Sequence, residues 1–296
     1  MRIIFCDSVI NHKRVEPDYE AEKKAAENLG FQTSLISFEA LEKEDFNQAI
    51  RMVEVSDNLV LAVYRGWMLT IKQYTQLYEI LLKKNVQLIN PPDAYKYCHY
   101  LPSSYHKIEH ITPKSVWTTD LTQNNILKLA TSFNGSPIIV KDYVKSEKNH
   151  WEKACFIPNS LNEQQVKEVV DCFLELRGSL LNEGVVFRQF EDLEYLTEHS
   201  KSGMPLTKEF RVFFCDHEIV EVFDYWDEGD YGTTKPYLEV FIEIAKTIES
   251  RFFTMDIAKK QNGDWIIMEL GDDQVAGLPD RANRDNFYKH LKRCLL

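Results

Sequence analysis

Two acidic residues near the C-terminal end, Asp256 and Glu269, each lie at the close of a strongly apolar run, Phe252-Phe-Thr-Met-Asp256 and Trp265-Ile-Ile-Met-Glu269. Asn262-Gly263-Asp264 between them is a hairpin signal. A hairpin turning there sets the two carboxylates opposite each other on adjacent strands. Like charges so placed repel unless a cation lies between them. Mg2+ suits such a pair: it takes oxygen ligands, often only one or two of them carboxylates, with phosphate and water completing the shell. Asp272, at the mouth of a glycine turn just beyond, is a natural third carboxylate. The alternative is that these acids are solvated strand ends, which their place inside apolar strands makes the weaker reading.

A basic group could face them. Pro137-Ile-Ile-Val-Lys141-Asp-Tyr-Val-Lys145 puts Lys141 at the end of an apolar strand and Lys145 just past it, where an ammonium can point at an anion as a compact charge. In Lys208-Glu-Phe-Arg211, Glu209 and Arg211 share one strand face while Phe210 takes the other. An inward arginine needs a partner, and a triphosphate would be one. Taken singly, each cation reads equally as a surface or salt-bridged residue; the combination with the acids is what gives them weight. Val185-Val-Phe-Arg188-Gln189-Phe190-Glu191-Asp192-Leu193 is a strand running into a charged turn. Such a segment can offer backbone groups to an adenine edge and a carboxylate to ribose hydroxyls, although many strands end in Glu-Asp.

Other chemistries lack their residues. No Gly-x-Gly-x-x-Gly follows the first strand and no Gly-x-x-x-x-Gly-Lys-Ser/Thr occurs, so neither common glycine cradle for phosphate is present. Of the 8 histidines, only His106 and His110 stand at His-x-x-x-His spacing, and no Ser-His-Asp or Cys-His arrangement stands out, so each histidine reads as structural or exposed. The 6 cysteines have no Cys-x-x-Cys and no close pair, which reads as buried reduced thiols in a reducing compartment.

The elements that must position these residues fall into three regions. Strands at Arg2–Asp7, Phe31–Ser37, Asn58–Arg65 and Val86–Asn90, with helices near Asp18–Leu29 and Thr70–Lys84, suggest a small, mostly parallel sheet with helices on its faces. Tyr95–Pro113 reads as a connecting segment with short helical turns. A strand at Ser115–Thr119, a helix at Thr122–Ser132, the lysine strand and a long amphipathic helix over Leu161–Leu181, stopped by Gly184, come next. After Gly184 the pattern turns to strands, Val185–Phe190, Lys208–Cys215, Glu218–Asp224, Phe252–Ala258 and Trp265–Leu270, with helices only at about Tyr237–Ser250 and Arg284–Leu291. The expected units are residues 1–100, 101–184 and 185–296. At 296 residues, 44% hydrophobic, the chain has ample core for two or three packed units. A net charge of −11 argues against general attraction to nucleic acid or anionic lipid, though not against a local basic cleft. No run is long and apolar enough for a membrane span and the start lacks a signal-peptide pattern, so a cytoplasmic location is expected.

The order lysine strand, Phe-Arg-Gln-Phe-Glu-Asp-Leu, Lys-Glu-Phe-Arg, Asp256 and Met268-Glu-Leu-Gly-Asp-Asp-Gln-Val-Ala-Gly-Leu-Pro279 resembles the ATP-grasp superfamily, more narrowly family 3 of the clade named for one arginine and two lysines. The likeness covers the chain from start to end, and Met268–Pro279 is its most specific part. It implies an α/β plus α+β ATP-grasp fold, in which an N-terminal pre-ATP-grasp, Rossmann-like domain precedes two α+β lobes that enclose the nucleotide. It further implies ATP and Mg2+ as cofactors, Lys141 on the phosphates, residues 188–193 as the adenine-binding connection, and nucleotide contacts from Arg188, Gln189, Phe190, Glu191, Leu193 and Glu209. Mg2+ would lie on Asp256 and Glu269. Where many members have Glu-x-Asn, this chain reads Glu-Leu-Gly-Asp, so Asp272 stands in for the asparagine. Lys145 and Arg211 resemble the remaining signature cations, and Ser146–Lys153 takes the place of a glycine-rich lid.

The implied activity is an ATP-dependent ligase that phosphorylates a carboxylate and lets an amine or similar nucleophile displace phosphate. The acceptor would be a small molecule, peptide or protein. A nucleic-acid (RNA) end-joining or nucleotidyl-transfer enzyme is the second reading, disfavoured by the acidic charge, and a non-catalytic nucleotide-binding module the third. The aromatic stretch Asp224–Thr234 reads equally as a stacking surface for the acceptor or as a packed loop.

Overall fold

The computed structural model describes residues 1–200 and 204–295. Strands β1 (Arg2–Cys6), β2 (Gln32–Ile36), β3 (Val60–Arg65) and β4 (Val86–Leu88) form an all-parallel sheet in the order β2-β1-β3-β4. All five residues of β1 are buried because both faces are covered. Ile4 and Cys6 enter one core with Tyr64, Tyr74 and Leu77; Ile3 and Phe5 enter another with Phe287, Tyr288 and Leu291. The last three belong to the closing helix Arg284–Leu295, so the chain's end packs on its beginning.

The helix Pro92–His99 and the helix Leu101–Ile108, each with proline in its first turn, occupy the segment expected to hold short helical turns. The second sheet is antiparallel, in the order β5-β8-β6-β7, from β5 (Ser115–Thr118), β6 (Ile138–Asp142), β7 (Phe156–Ile157) and β8 (Val185–Gln189). Helices Gln123–Thr131 and Glu163–Arg177 cover one face through Ile126, Val166, Val170 and Phe173. The long helix ends earlier than its apolar pattern suggests, because Gly178 takes a φ of 45°, a conformation that glycine adopts without a Cβ penalty.

A short ribbon of β9 (Tyr195–Glu198) and β10 (Pro205–Thr207), which the sequence pattern did not reveal, leads to the third sheet. There β11 (Glu209–Cys215), β12 (Glu218–Asp224), β13 (Phe252–Lys259) and β14 (Trp265–Asp272) pair antiparallel in the order β12-β11-β13-β14. Phe210, Val212 and Phe214 of β11 pack against Phe241, Ile244 and Ala245 of the helix Glu239–Ala245, which is shorter than its pattern suggested. Two-residue alternation therefore turns Glu209 and Arg211 to the other face of the sheet. Among the described residues, no helix is long and apolar enough to cross a membrane.

Candidate active site

The second and third sheets face each other across a cleft. On β6, Ile138 and Val140 enter the core, so Ile139 and Lys141 look into the cleft. Asp142, fully buried, fixes the turn that follows. Its Oδ1 accepts from Val144 N–H at 2.7 Å and from Lys145 N–H, and its Oδ2 accepts from Arg177 and Asn182 at 3.0–3.1 Å. Lys145 is thereby presented at the cleft.

Across the cleft, three strands place three charges in one row. Arg211 on β11 pairs in register with Asp256 on β13, and Asp256 with Glu269 on β14. Arg211 grips Asp256 bidentately, Nε to Oδ1 at 2.7 Å and Nη2 to Oδ2 at 2.8 Å. Its guanidinium lies over the Tyr225 ring at 4.7 Å. Lys141 reaches over from the second sheet and donates to Glu269 at 2.6 Å. Burial works to raise the Glu269 pKa, but Lys141, Lys148 and Arg188 outweigh it and hold the carboxyl at about 2. For Lys145 the balance goes the other way: desolvation and neighbouring cations lower its pKa despite Glu269.

A β-bulge shapes the same row. Asp256 pairs with Glu269, but Ile257 pairs with Ile267, so Met268 is the extra residue on β14. The bulge lets Met268 and Glu269, consecutive in sequence, both line the cleft.

The cleft is continuous. A central cavity of about 310 Å³ is lined by Lys141, Lys145, Arg188, Glu209, Asp256 and Glu269. Ile139, Arg188, Glu209 and Met268 also border an outer, largely apolar cavity of about 300 Å³, with Gln189, Phe190, Glu191 and Leu193. Phe190, Trp151 and Phe156 pack as one aromatic group there. Arg188, which is buried, donates to Thr112 Oγ1 at 2.8 Å while its Nε has no hydrogen-bond partner; desolvation brings its pKa down to about 10. At the other end lies a cavity of about 140 Å³ that shares Lys145, Tyr225, Asp256 and Glu269 with the central one and adds Arg211 and His99.

Two further residues, not singled out individually in the sequence, complete the cleft. Lys148 enters from the short turn Lys148–His150, and its ammonium stands 5.6 Å from the Trp226 ring centroid and 6.0 Å from that of Tyr225. Desolvation opposes its charge, yet Tyr225, Glu209 and Glu269 raise its pKa overall. Trp226 in turn donates to Glu209 at 3.3 Å. A lysine in an irregular segment carries no periodic mark; the aromatic pair in the acidic stretch Asp224–Thr234 was the visible hint.

Asp272 borders the inner cavity together with Asp256 and Glu269, but its carboxylate is engaged elsewhere. Its backbone pairs with Phe253, which faces the core, so alternation along β14 turns Asp272 away from Glu269. Asn90 Nδ2 and both Gln274 nitrogens donate to its carboxylate at 2.6–3.1 Å. Among the described residues, no three His, Cys, Asp or Glu side chains cluster as a metal site. Asp256 and Glu269 remain: two carboxylates on facing strand positions, opening on one cavity and neutralised by Arg211 and Lys141. As hard oxygen donors they fit a Mg2+ ion whose remaining ligands are phosphate and water.

The family model for the ATP-grasp domain, R2K clade family 3, matches residues 132–291. No curated protein matches the chain significantly in sequence. Among solved structures, a RimK domain ATP-grasp protein from Sphaerobacter thermophilus superposes with a TM-score of 0.62 at 10% identity, covering 100% of both chains. D-alanyl-alanine synthetase A from Vibrio cholerae gives 0.59 at 13% identity over 99% of this chain and 93% of its own. The ATP-grasp ligase PsnB, complexed with a phosphomimetic precursor variant, Mg and ADP, gives 0.59 at 12% over 99% and 98%. At these identities the likeness is one of fold.

Proposed function

Since the chain belongs to the ATP-grasp domains of R2K clade family 3, we propose that it is a Mg·ATP-dependent ligase that activates a carboxylate as an acyl phosphate for attack by an amine or similar nucleophile. The observation that carries this reading is the row Arg211–Asp256–Glu269, closed across the cleft by Lys141. It combines paired oxygen donors with cations at the centre of a three-part cleft.

In this reading the apolar cavity around Phe190 and Met268 takes the adenine, with Gln189, Glu191 and Leu193 along its edge. Lys141, Arg188 and Glu209 border the sugar and phosphates in the central cavity. Asp256 and Glu269 hold Mg2+, which when bound neutralises phosphate charge. Asp272 holds the end of β14 through Asn90 and Gln274. A substrate carboxylate oxygen attacks the γ-phosphorus, and the bond to the departing ADP oxygen breaks. Lys141, Lys145 and Arg211 balance the negative charge on the transferring group, and the turn fixed by Asp142 keeps Lys145 in place. The nucleophile then attacks the acyl carbon and phosphate leaves. The likeness in fold to solved ATP-grasp ligases supports this class of reaction.

The test pairs calorimetry with product analysis. Wild-type protein is expected to bind Mg·ATP and, given amino acids and dipeptides as combined carboxylate and amine sources, to release ADP and phosphate. Glu269→Gln should lose turnover while unfolding normally. Release of AMP and pyrophosphate instead, or turnover unchanged by Glu269→Gln, would overturn the proposal.

A further inference from the structure

The inner cavity of the cleft contains a group that the nucleotide reading leaves unused. His99, the last residue of the helix Pro92–His99, is 7% exposed and lines this cavity together with Met68, Lys145 and Glu269. Its ring is held from behind by a stack: Tyr95 lies 5.0 Å away at 21°, and Tyr74 lies 3.9 Å from Tyr95 at 6°. Tyr95 is itself pinned, its hydroxyl bonded to both the N–H and the C=O of Leu69. The same contact sets the loop that brings Met68 to the cavity.

Buried histidines ordinarily spend their nitrogens on protein partners. Among the described residues, no protein group hydrogen-bonds the His99 imidazole, and neither nitrogen is sealed from solvent. The polar edge therefore opens on the cavity while the ring face is used for packing. So elaborate a mounting, with an unspent hydrogen-bonding edge, is what a group that meets a ligand requires.

We infer that His99 is the acceptor-side residue of this cleft, where its imidazole receives the hydrogen bond of an incoming primary amine and so orients the amine lone pair toward the acyl carbon. The inference rests on the ligase reading above. As the amine nitrogen forms its bond to the acyl carbon, the carbon–oxygen bond to phosphate breaks, phosphate leaves with that electron pair, and the amine proton passes to the departing phosphate. The charged groups that act on His99 are Lys145, Lys141, Glu269 and Asp142. Burial first, then Lys145, pulls its pKa down to about 4. The imidazole thus stays neutral beside the lysines, its lone pair free to accept a hydrogen bond. A lysine or arginine at this place could only donate.

The experiment uses the full chain saturated with Mg2+ and a non-hydrolysable ATP analogue, with 15N-labelled imidazoles observed by NMR. The His99 signal is assigned by its disappearance in His99→Phe, which keeps an aromatic ring on the Tyr95 stack. Glycinamide is the amine probe, at pH 8.5, where most of an α-amino group is neutral (pKa about 8). Glycinamide is expected to shift the His99 nitrogen resonance, and His99→Phe to weaken glycinamide binding roughly tenfold, about the worth of one hydrogen bond. Analogue affinity should not change. An unmoved His99 signal in wild type, or equal glycinamide affinity in His99→Phe, overturns the inference. The wild-type measurement does so even if the variant does not fold. Absence of analogue binding to the wild type would instead overturn the ligase reading, so the two failures are distinct.

Discussion

Lys141 and Glu269 stand 128 residues apart in the chain and meet at 2.6 Å across the cleft, one from β6 and the other from β14. The contact joins the two sheets at the point where phosphate charge is proposed to lie. Since 39% of the Glu269 side chain is open to solvent, screening keeps the pair's contribution to stability modest. Its consequence is electrostatic. Lys141 is the main influence holding the Glu269 pKa at about 2. In Lys141→Met the carboxyl should titrate nearer its ordinary value of about 4.3, as read by carboxyl NMR. The sign follows: a depressed acid stabilises the fold above its unfolded pKa and ceases to do so as pH falls through the folded one. Wild type should therefore lose more stability than Lys141→Met between pH about 5 and about 2. Mg·ATP affinity should fall at least about tenfold in the variant.

Asp142 makes a second prediction about the same strand. Fully buried, it accepts hydrogen bonds from the turn that carries Lys145 and from Arg177. Asp142→Ala leaves the guanidinium, the backbone N–H groups of Val144, Lys145 and Asn182, and the Asn182 amide without this acceptor, and destabilisation of roughly 3 kcal/mol is expected in urea unfolding. Asp142→Asn preserves shape and part of the bonding, so it should cost less. Both should weaken Mg·ATP binding by loosening Lys145, more so the alanine.

How much of this could be read beforehand follows from which patterns are local. The facing of Asp256 and Glu269 was legible because two apolar runs flank Asn262-Gly263, a turn that nearly dictates the hairpin. Arg211 beside Glu209 followed from two-residue alternation. What alternation could not show was its own interruption: the bulge at Met268 depends on how β13 and β14 pair, and no residue type marks it. Asp272 was grouped with the other acids because it is near them in sequence, whereas its odd spacing from Glu269 turns it toward Asn90. Lys148 and His99 enter the cleft from a short turn and a helix end, and only the tertiary fold brings them there. The early stop at Gly178 was missed because Leu180 and Leu181 continue an apolar pattern after the helix has ended.

Asp272 carries a pH prediction of opposite sign. Burial pushes its pKa up to about 7, against the pull of the donors from Asn90 and Gln274. A raised acid in the folded state contributes stability that is fully present below its unfolded pKa, about 3.9, and is lost as pH rises toward the folded value. Stability should therefore decline between pH about 4 and 7 in excess of the general trend. Asp272→Asn should flatten that decline, and at pH 8 its melting temperature should equal or exceed that of wild type. A steeper decline in the variant would contradict the assignment.

In the proposed reading, Phe190 meets the base and not the phosphates. Its ring packs with Phe156 at 5.1 Å and Trp151 at 6.1 Å, at the rim of the cavity assigned to adenine, while Lys141 and Lys145 lie in the adjoining one. Truncation to alanine removes apolar surface on which the base would be buried, and about 1–2 kcal/mol of binding energy should go with it. In Phe190→Ala the Kd for Mg·ATP should rise roughly tenfold. Inorganic tripolyphosphate, which has no base, should bind wild type and variant alike. If both ligands lose affinity together, the ring supports the whole cleft; if neither does, the base binds elsewhere.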